Sequence, residues 1–245
     1  MAAQRSRRAS FMQGARDGIP IFLGYLSVSF AFGIMATESG LSAWIAQMIS
    51  MTNLTSAGQV AGTVLMVSGA SLVEIAMTTL VINLRYTLMS LSLSQKLDPG
   101  VSVWKRLLLS FGITDEIFAV AMQQSGAVGA AYLAGLIFTP YLGWAGGTFL
   151  GATAADLLPL SVRSALGIAI YGMFLAIIIP PAKAAKPIRF TVVLAVLFSC
   201  IFRFVPGLRR LSGGWVIILC AVAVSSAAAL RYPVDEKEEK EEEGR

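Results

Sequence analysis

Apolar residues run along this chain in long blocks, and the polar positions that interrupt them set its elements. The block at 19–37, "IPIFLGYLSVSFAFGIMAT", has the length of a bilayer-crossing helix. Residues 41–56 are half apolar and half polar, which predicts an interfacial or re-entrant element. A second span is predicted over 58–84. Residues 94–106 hold Pro99 and Gly100 beside Lys96, Lys105 and Arg106, the pattern of a basic turn. Further spans are predicted at 130–151, 165–182, 189–205 and 213–230.

The stretch 107–124, "LLLSFGITDEIFAVAMQQ", is apolar but interrupted by Gly112 and the pair Asp115–Glu116. Gly112 permits a chain break, and Thr114 and Asp115 suit an N-cap. We read this stretch as a broken or re-entrant segment. That parity gives six crossings with both termini inside; a full crossing at 107–124 makes seven. The fold class predicted is therefore all-α: a polytopic membrane helix bundle of about six transmembrane helices with interrupted segments.

Charge supports this orientation. Arg5, Arg7, Arg8 and Arg16 precede the first span, so residues 1–18 read as a basic cytoplasmic N-terminus. Residues 19–230 read as the transmembrane domain. Residues 231–245, "RYPVDEKEEKEEEGR", hold 7 of the 14 acids and read as a solvated, disordered cytoplasmic tail. Arg203, Arg209 and Arg210 fall toward the outer face in this scheme and run against the charge rule.

Composition narrows the function. The chain has 245 residues, 56% of them hydrophobic and 13% charged, about half the charge of a soluble domain. With no histidine, imidazole catalysis and histidine metal sites are excluded. Cys200 and Cys220 lie in apolar segments and read as packing residues. No nucleotide-binding loop, nucleophile elbow or dinucleotide fingerprint occurs, no metal or cofactor is expected, and no patch of interleaved basic and aromatic residues suits nucleic acid.

Gly143, Gly147 and Gly151 recur every fourth residue, leaving one helix face bare for close packing, and Gly58 and Gly62 repeat the spacing. The charges inside the apolar blocks need partners, because an isolated one costs at least about 2.5–3.5 kcal/mol. Glu74 sits between long uncharged runs. Arg85 lies eleven residues on, about 16 Å along a continuous helix and near the same face, which Thr78 shares. The two charges cannot touch there; they bracket a polar cavity or pair elsewhere.

Four blocks, "GARDGIPIFLGYLSVSFAFGIMA" (14–36), "TSAGQVAG" (55–62), "GASLVEIAMTTLVINLRYTLMSLSLSQKL" (69–97) and "FGITDEIFAV" (111–120), resemble the AzlC family of bacterial membrane proteins, in the family's order. The resemblance implies the large subunit of a branched-chain amino acid exporter in the bacterial cytoplasmic membrane, paired with a small four-span AzlD-type subunit. Many members carry a histidine after the arginine where this chain has Tyr86, so an imidazole proton role at that position is absent. Many also have serine where this chain has Gly58, while Gln59 is kept.

On these residues the candidate substrate site comprises Arg85, Asn83, Glu74, Thr78, Tyr86, Gln59 and Asp115. A guanidinium matches a carboxylate with two parallel donors, which suits Arg85 to an amino acid's carboxylate. Glu74 or Asp115 would take the ammonium group. Asn83 and the hydroxyls of 87–94 would line a polar seam. Two other readings stand beside export: a substrate-binding membrane subunit served by a separate ATPase, and a membrane-embedded enzyme using Asp115 and Glu116. A four-span protein encoded next door discriminates in favour of the exporter pair.

Overall fold

A computed structural model describes residues 2–233 and is helical throughout its regular elements. Most of the acidic tail, 234–245, lies outside the described residues. The chain divides into two compact units, one of Met1–Ser68 with Ile82–Tyr171, the other of Gly69–Val81 with Gly172–Arg245.

The first unit opens with α1 (Ala2–Asp17) and α2 (Ile19–Glu38), separated by Gly18 with Pro20 in the first turn of α2. Two short helices follow, α3 (Ala43–Thr52) and α4 (Ser56–Val67). Then come α5 (Leu72–Lys96), α6 (Val103–Ser110), α7 (Asp115–Gln123) and α8 (Ala130–Ala154). After a short 3-10 turn, α9 (Leu160–Ala184) covers the predicted 165–182 segment, and α10 (Lys186–Phe204) and α11 (Gly213–Arg231) follow. Both α5 and α9 contribute residues to each unit. Five helices among the described residues, α2, α5, α8, α10 and α11, are long and apolar enough to cross a bilayer. The protein is thus an all-α multi-pass membrane bundle, as the apolar blocks predict.

The glycine face of α8 receives α2. A Cβ on Gly143 would lie 2.6 Å from Phe22 O, and one on Gly147 or Gly151 would overlap the carbonyls of Leu26 or Phe30. The contact is reciprocal, since a Cβ on Gly33 would meet Thr148 O. Hydroxyls tie the same seam: Ser29 Oγ donates to Tyr25 O (2.7 Å) and lies 3.3 Å from Gly143 O, while Ser50 and Thr148 share a 2.7 Å bond that fixes α3 to α8. Small residues let the backbones approach, and dispersion over that close contact replaces the hydrophobic drive that lipid removes.

The first half of α8 is gripped by α1, which hydropathy alone does not reveal. Gly14 abuts the backbone of Tyr132 and Leu136, and Gly135 abuts that of Phe11 and Ala15. Tyr132 donates to Asp17 (2.7 Å) and accepts from Gln124 (2.7 Å), so the end of α1 is pinned by a polar chain.

One predicted span is corrected. Residues 58–84 are not one helix: α4 ends at Val67 and α5 begins at Leu72. Gly69 takes a left-handed φ of +74°, which ends α4. Ser68 donates to Leu65 O, and Ser71 Oγ accepts from the Glu74 amide, so hydroxyls satisfy both helix ends. Glu74 therefore sits in the first turn of a helix, not in the middle of one, and α5 runs on to Lys96. The predicted break in 107–124 is present. α6 stops at Ser110, and Thr114 caps α7, its Oγ1 accepting from the Ile117 amide. A Cβ on Gly112 would run into Ile137, so glycine is required at the break.

In the second unit α10 packs beside α11, with Ser199 Oγ 4.0 Å from Cys220 Sγ and the rings of Phe190 and Tyr232 5.7 Å apart.

Candidate functional site

The broken segment positions the charges of the first unit. Because α7 begins at Asp115, this acid projects from a helix N-terminus, where backbone N–H groups and the helix dipole favour a negative charge. Asp115 Oδ2 lies 2.9 Å from Arg85 Nη2. Each side chain is 45% exposed, so this chain alone leaves the pair half open. Arg85 also donates to the Tyr86 hydroxyl at 3.2 Å and lies over that ring, 5.0 Å from its centroid. Three of the predicted site residues, Arg85, Tyr86 and Asp115, thus come together.

Behind them lies a network that the sequence does not single out. The Tyr25 hydroxyl is 2.6 Å from both Thr114 Oγ1 and Glu116 Oε2. The Tyr25 ring meets Trp144 edge-on at 5.1 Å. Trp144 Nε1 donates to Gln59 Oε1 at 3.0 Å. A chain of contacts therefore runs from α4 through α8 and α2 to the N-terminus of α7. Tyr25 and Trp144 were hidden because aromatics in an apolar span read as packing. Their polar tips, each of which requires a partner when buried, are the only available signal.

Several polar atoms in this region have no protein partner: Gln59 Nε2, Thr63 Oγ1 and Asn83 Oδ1 are all buried and unsatisfied. Gln59 and Thr63 stand one turn apart on α4 and are 1% and 0% exposed. Gly58 makes room for the neighbouring amide, since a Cβ there would lie 2.9 Å from Asn83 Nδ2. Buried polar groups of this kind are normally paired, with protein or with a bound polar species.

From Tyr86 a cleft of about 460 Å³ continues along α5 and α6. Thr87, Ser90 and Ser94 supply hydroxyls, and Leu93, Leu107 and Leu133 supply apolar surface. Arg106 closes it by donating to Ser94 O and Oγ, each at 2.9 Å, and to Val101 O at 3.0 Å.

Glu74 and Thr78 belong to the second unit, where Glu74 has partners and Thr78 Oγ1 is buried without one. Glu74 is 4% exposed, and its Oε1 accepts from Ser212 Oγ (2.5 Å) and from the Gly214 amide (2.9 Å). The carboxylate thus caps the N-terminus of α11 from another helix, satisfying a donor that the helix itself cannot. A Cβ on Gly214 would lie 2.5 Å from Glu74 Oε1 and 2.6 Å from Thr78 Oγ1. Gly214→Ala should therefore lower thermal stability in detergent by several degrees, because it evicts the carboxylate. Glu74→Gln should cost less, about 1–2 kcal/mol, since an amide oxygen still accepts from Gly214 but without charge assistance. Melting curves of both variants check the order; an equal or reversed ranking would refute the capping role.

Among the described residues no group of three or more Cys, Asp or Glu could hold a metal ion. No solved structure matches the chain. Over 89% of its length it is 27% identical to the inner membrane protein YgaZ of Escherichia coli, covering 91% of that protein. It is 33% identical to a membrane protein of Archaeoglobus fulgidus over 73% of this chain and 78% of that one. The AzlC protein family model matches residues 20–158, which hold α2 to α8, the Arg85–Asp115 pair and the cleft beside it, so the chain belongs to the AzlC family of membrane transport proteins.

Proposed function

We propose that this protein exports branched-chain and similar apolar amino acids, working with a small four-span AzlD-type subunit in the bacterial cytoplasmic membrane. The observation that carries the proposal is the half-open Arg85–Asp115 ion pair at the start of α7. An amino acid is a zwitterion of the same two groups. Its carboxylate replaces Asp115 on the guanidinium, and its ammonium replaces Arg85 on the carboxylate. The exchange conserves charge at every stage, so neither the guanidinium nor the carboxylate is left without a partner. Tyr86 holds the guanidinium over its ring while the pair opens. The aliphatic side chain enters the leucine-lined cleft, whose volume lies in the usual range for small-molecule sites.

The ammonium role goes to Asp115 and not to Glu74, whose oxygen is already committed to α11. Gln59 and Asn83 offer unsatisfied groups to the polar head or to its water. The small partner and the export direction rest on the family resemblance, and an ion or proton gradient supplies the energy because the chain carries no nucleotide-binding motif.

Efflux from vesicles holding both subunits tests this reading. Valine, leucine and isoleucine should leave at least about tenfold faster than isobutylamine, which lacks the carboxylate and forgoes one charged hydrogen-bonded pair. Equal rates for the amine would refute the pairing scheme, and no efflux of any amino acid would refute the function. Both termini should face the cytoplasm. In a variant lacking Cys200 and Cys220, a cysteine at position 3 or 240 should resist impermeant maleimide on intact cells; labelling of one end alone would add a crossing.

A further inference from the structure

A second cleft, of about 620 Å³, lies away from the Arg85–Asp115 pair, between α1, α6 and the start of α8. Arg7 and Ser10 enter it from α1, and Lys105 from α6. Neither cation forms an ion pair with a carboxylate among the described residues. Asp98 also borders the cleft, but its Oδ1 is held by the Gly100 amide at 2.7 Å. The two cations outnumber that single acid.

The other wall adds to the positive field. Gly129 gives α8 no side-chain cap, and the first backbone bond of the helix runs from Leu133 N to Gly129 O. The amides of Ala130 and Ala131 therefore begin a 25-residue helix without an intrahelical acceptor, and both residues line the cleft.

The setting is that of a membrane interface. α6 has no buried residue; Trp104 is 78% exposed and Leu108 77%. Trp beside Lys is the usual composition at headgroup level, and leucine one turn on suits the acyl region. Arg106 turns the other way, onto Ser94 and Val101, so Lys105 alone of the basic pair faces this cleft.

We propose that this cleft binds the phosphate of an anionic phospholipid, with Arg7 and Lys105 on the phosphate oxygens and the acyl chains against Leu108. A free phosphate satisfies the cations but leaves the exposed leucine and tryptophan uncovered, which favours the lipid. Basic pockets between membrane helices hold acidic headgroups by the same physics.

Native mass spectrometry of the purified full chain, titrated with phosphatidylglycerol, phosphatidylcholine or inorganic phosphate, tests the proposal. Phosphatidylglycerol should be retained in preference to phosphatidylcholine. Arg7→Gln with Lys105→Gln should weaken that retention by about 30-fold, the effect of two cations at a charged lipid surface. Arg209→Gln with Arg210→Gln removes the same charge from an exposed turn outside the cleft and should leave retention unchanged. Equal retention of the two lipids, equal loss in both double variants, or displacement of the lipid by millimolar phosphate would overturn the assignment. Should the Arg7/Lys105 variant fail to fold, Ala131→Glu, which places a carboxylate at the same helix start, must abolish preferential retention; unchanged retention there overturns the proposal as well.

Discussion

Gly147→Leu should reach the membrane at normal abundance and yield almost no folded protein in mild detergent. The added side chain meets Leu26 O and Ser29 Oγ, and the first of these is backbone on a helix with nowhere to move. Overpacking in an adaptable core costs about 1–3 kcal/mol. Here α2 and α8 must separate along their whole glycine seam, so the loss should exceed that range and take with it the contact of Ser29 with Gly143 O. Insertion is unaffected because leucine is as apolar as the helix requires. Gly146→Leu is the matched control: nothing lies within 4 Å of a Cβ there. Membrane fractionation followed by size exclusion in detergent separates insertion from folding. A monodisperse Gly147→Leu protein would show that the seam is not what holds the two helices.

The second large effect concerns Arg85. Arg85→Lys keeps the charge but loses the planar fork, so valine flux should fall by about tenfold to a hundredfold, the worth of one charged hydrogen bond. Asp115→Asn should fall at least as far, because it removes the ammonium acceptor and leaves Arg85 without its partner. The two variants differ in a telling way. Arg85→Lys should lose its preference for valine over isobutylamine, while Asp115→Asn should keep what preference its residual flux allows. Flux is normalised to inserted protein in loaded vesicles. Wild-type flux in Arg85→Lys would sink the carboxylate role, since a lysine at a mere membrane boundary serves equally.

Much of the bundle is legible in the sequence because lipid imposes one rule on long segments: they are apolar and helical or they do not span. The glycine triplet of α8 and the break at 111–114 are legible for a related reason. Each puts a residue with no other use, a bare Cα or a capping threonine, at a spacing only helix packing or helix ends explain. The break at Ser68–Ser71 escapes because two serines and a glycine barely change the mean hydropathy of 58–84, whereas a single left-handed φ at Gly69 decides the matter. α1 escapes for the opposite reason. Its arginines mask the small-residue stripe, Gly14 included, that docks it on α8. In the site, Arg85 and Asp115 stand out as misplaced charges, but their pairing joins elements thirty residues apart and follows only from the turn before α7. The Gln59–Trp144–Tyr25 network needed the tertiary fold, since no local pattern links α4, α8 and α2.

The grip of α8 on both α1 and α2 also sets a schedule for biogenesis. Gly33 of α2 and Gly14 of α1 find their counterparts on α8, which leaves the ribosome about 120 residues later, a delay of about 6–24 s at typical synthesis rates. During that interval the first hydrophobic helix lies in the bilayer with its closest partner unmade and its carbonyls facing lipid or the insertion machinery. A helix kept waiting so long is open to capture by other chains. Slowed translation between α3 and α7 should lengthen that exposure and lower the yield of assembled protein without altering a single residue.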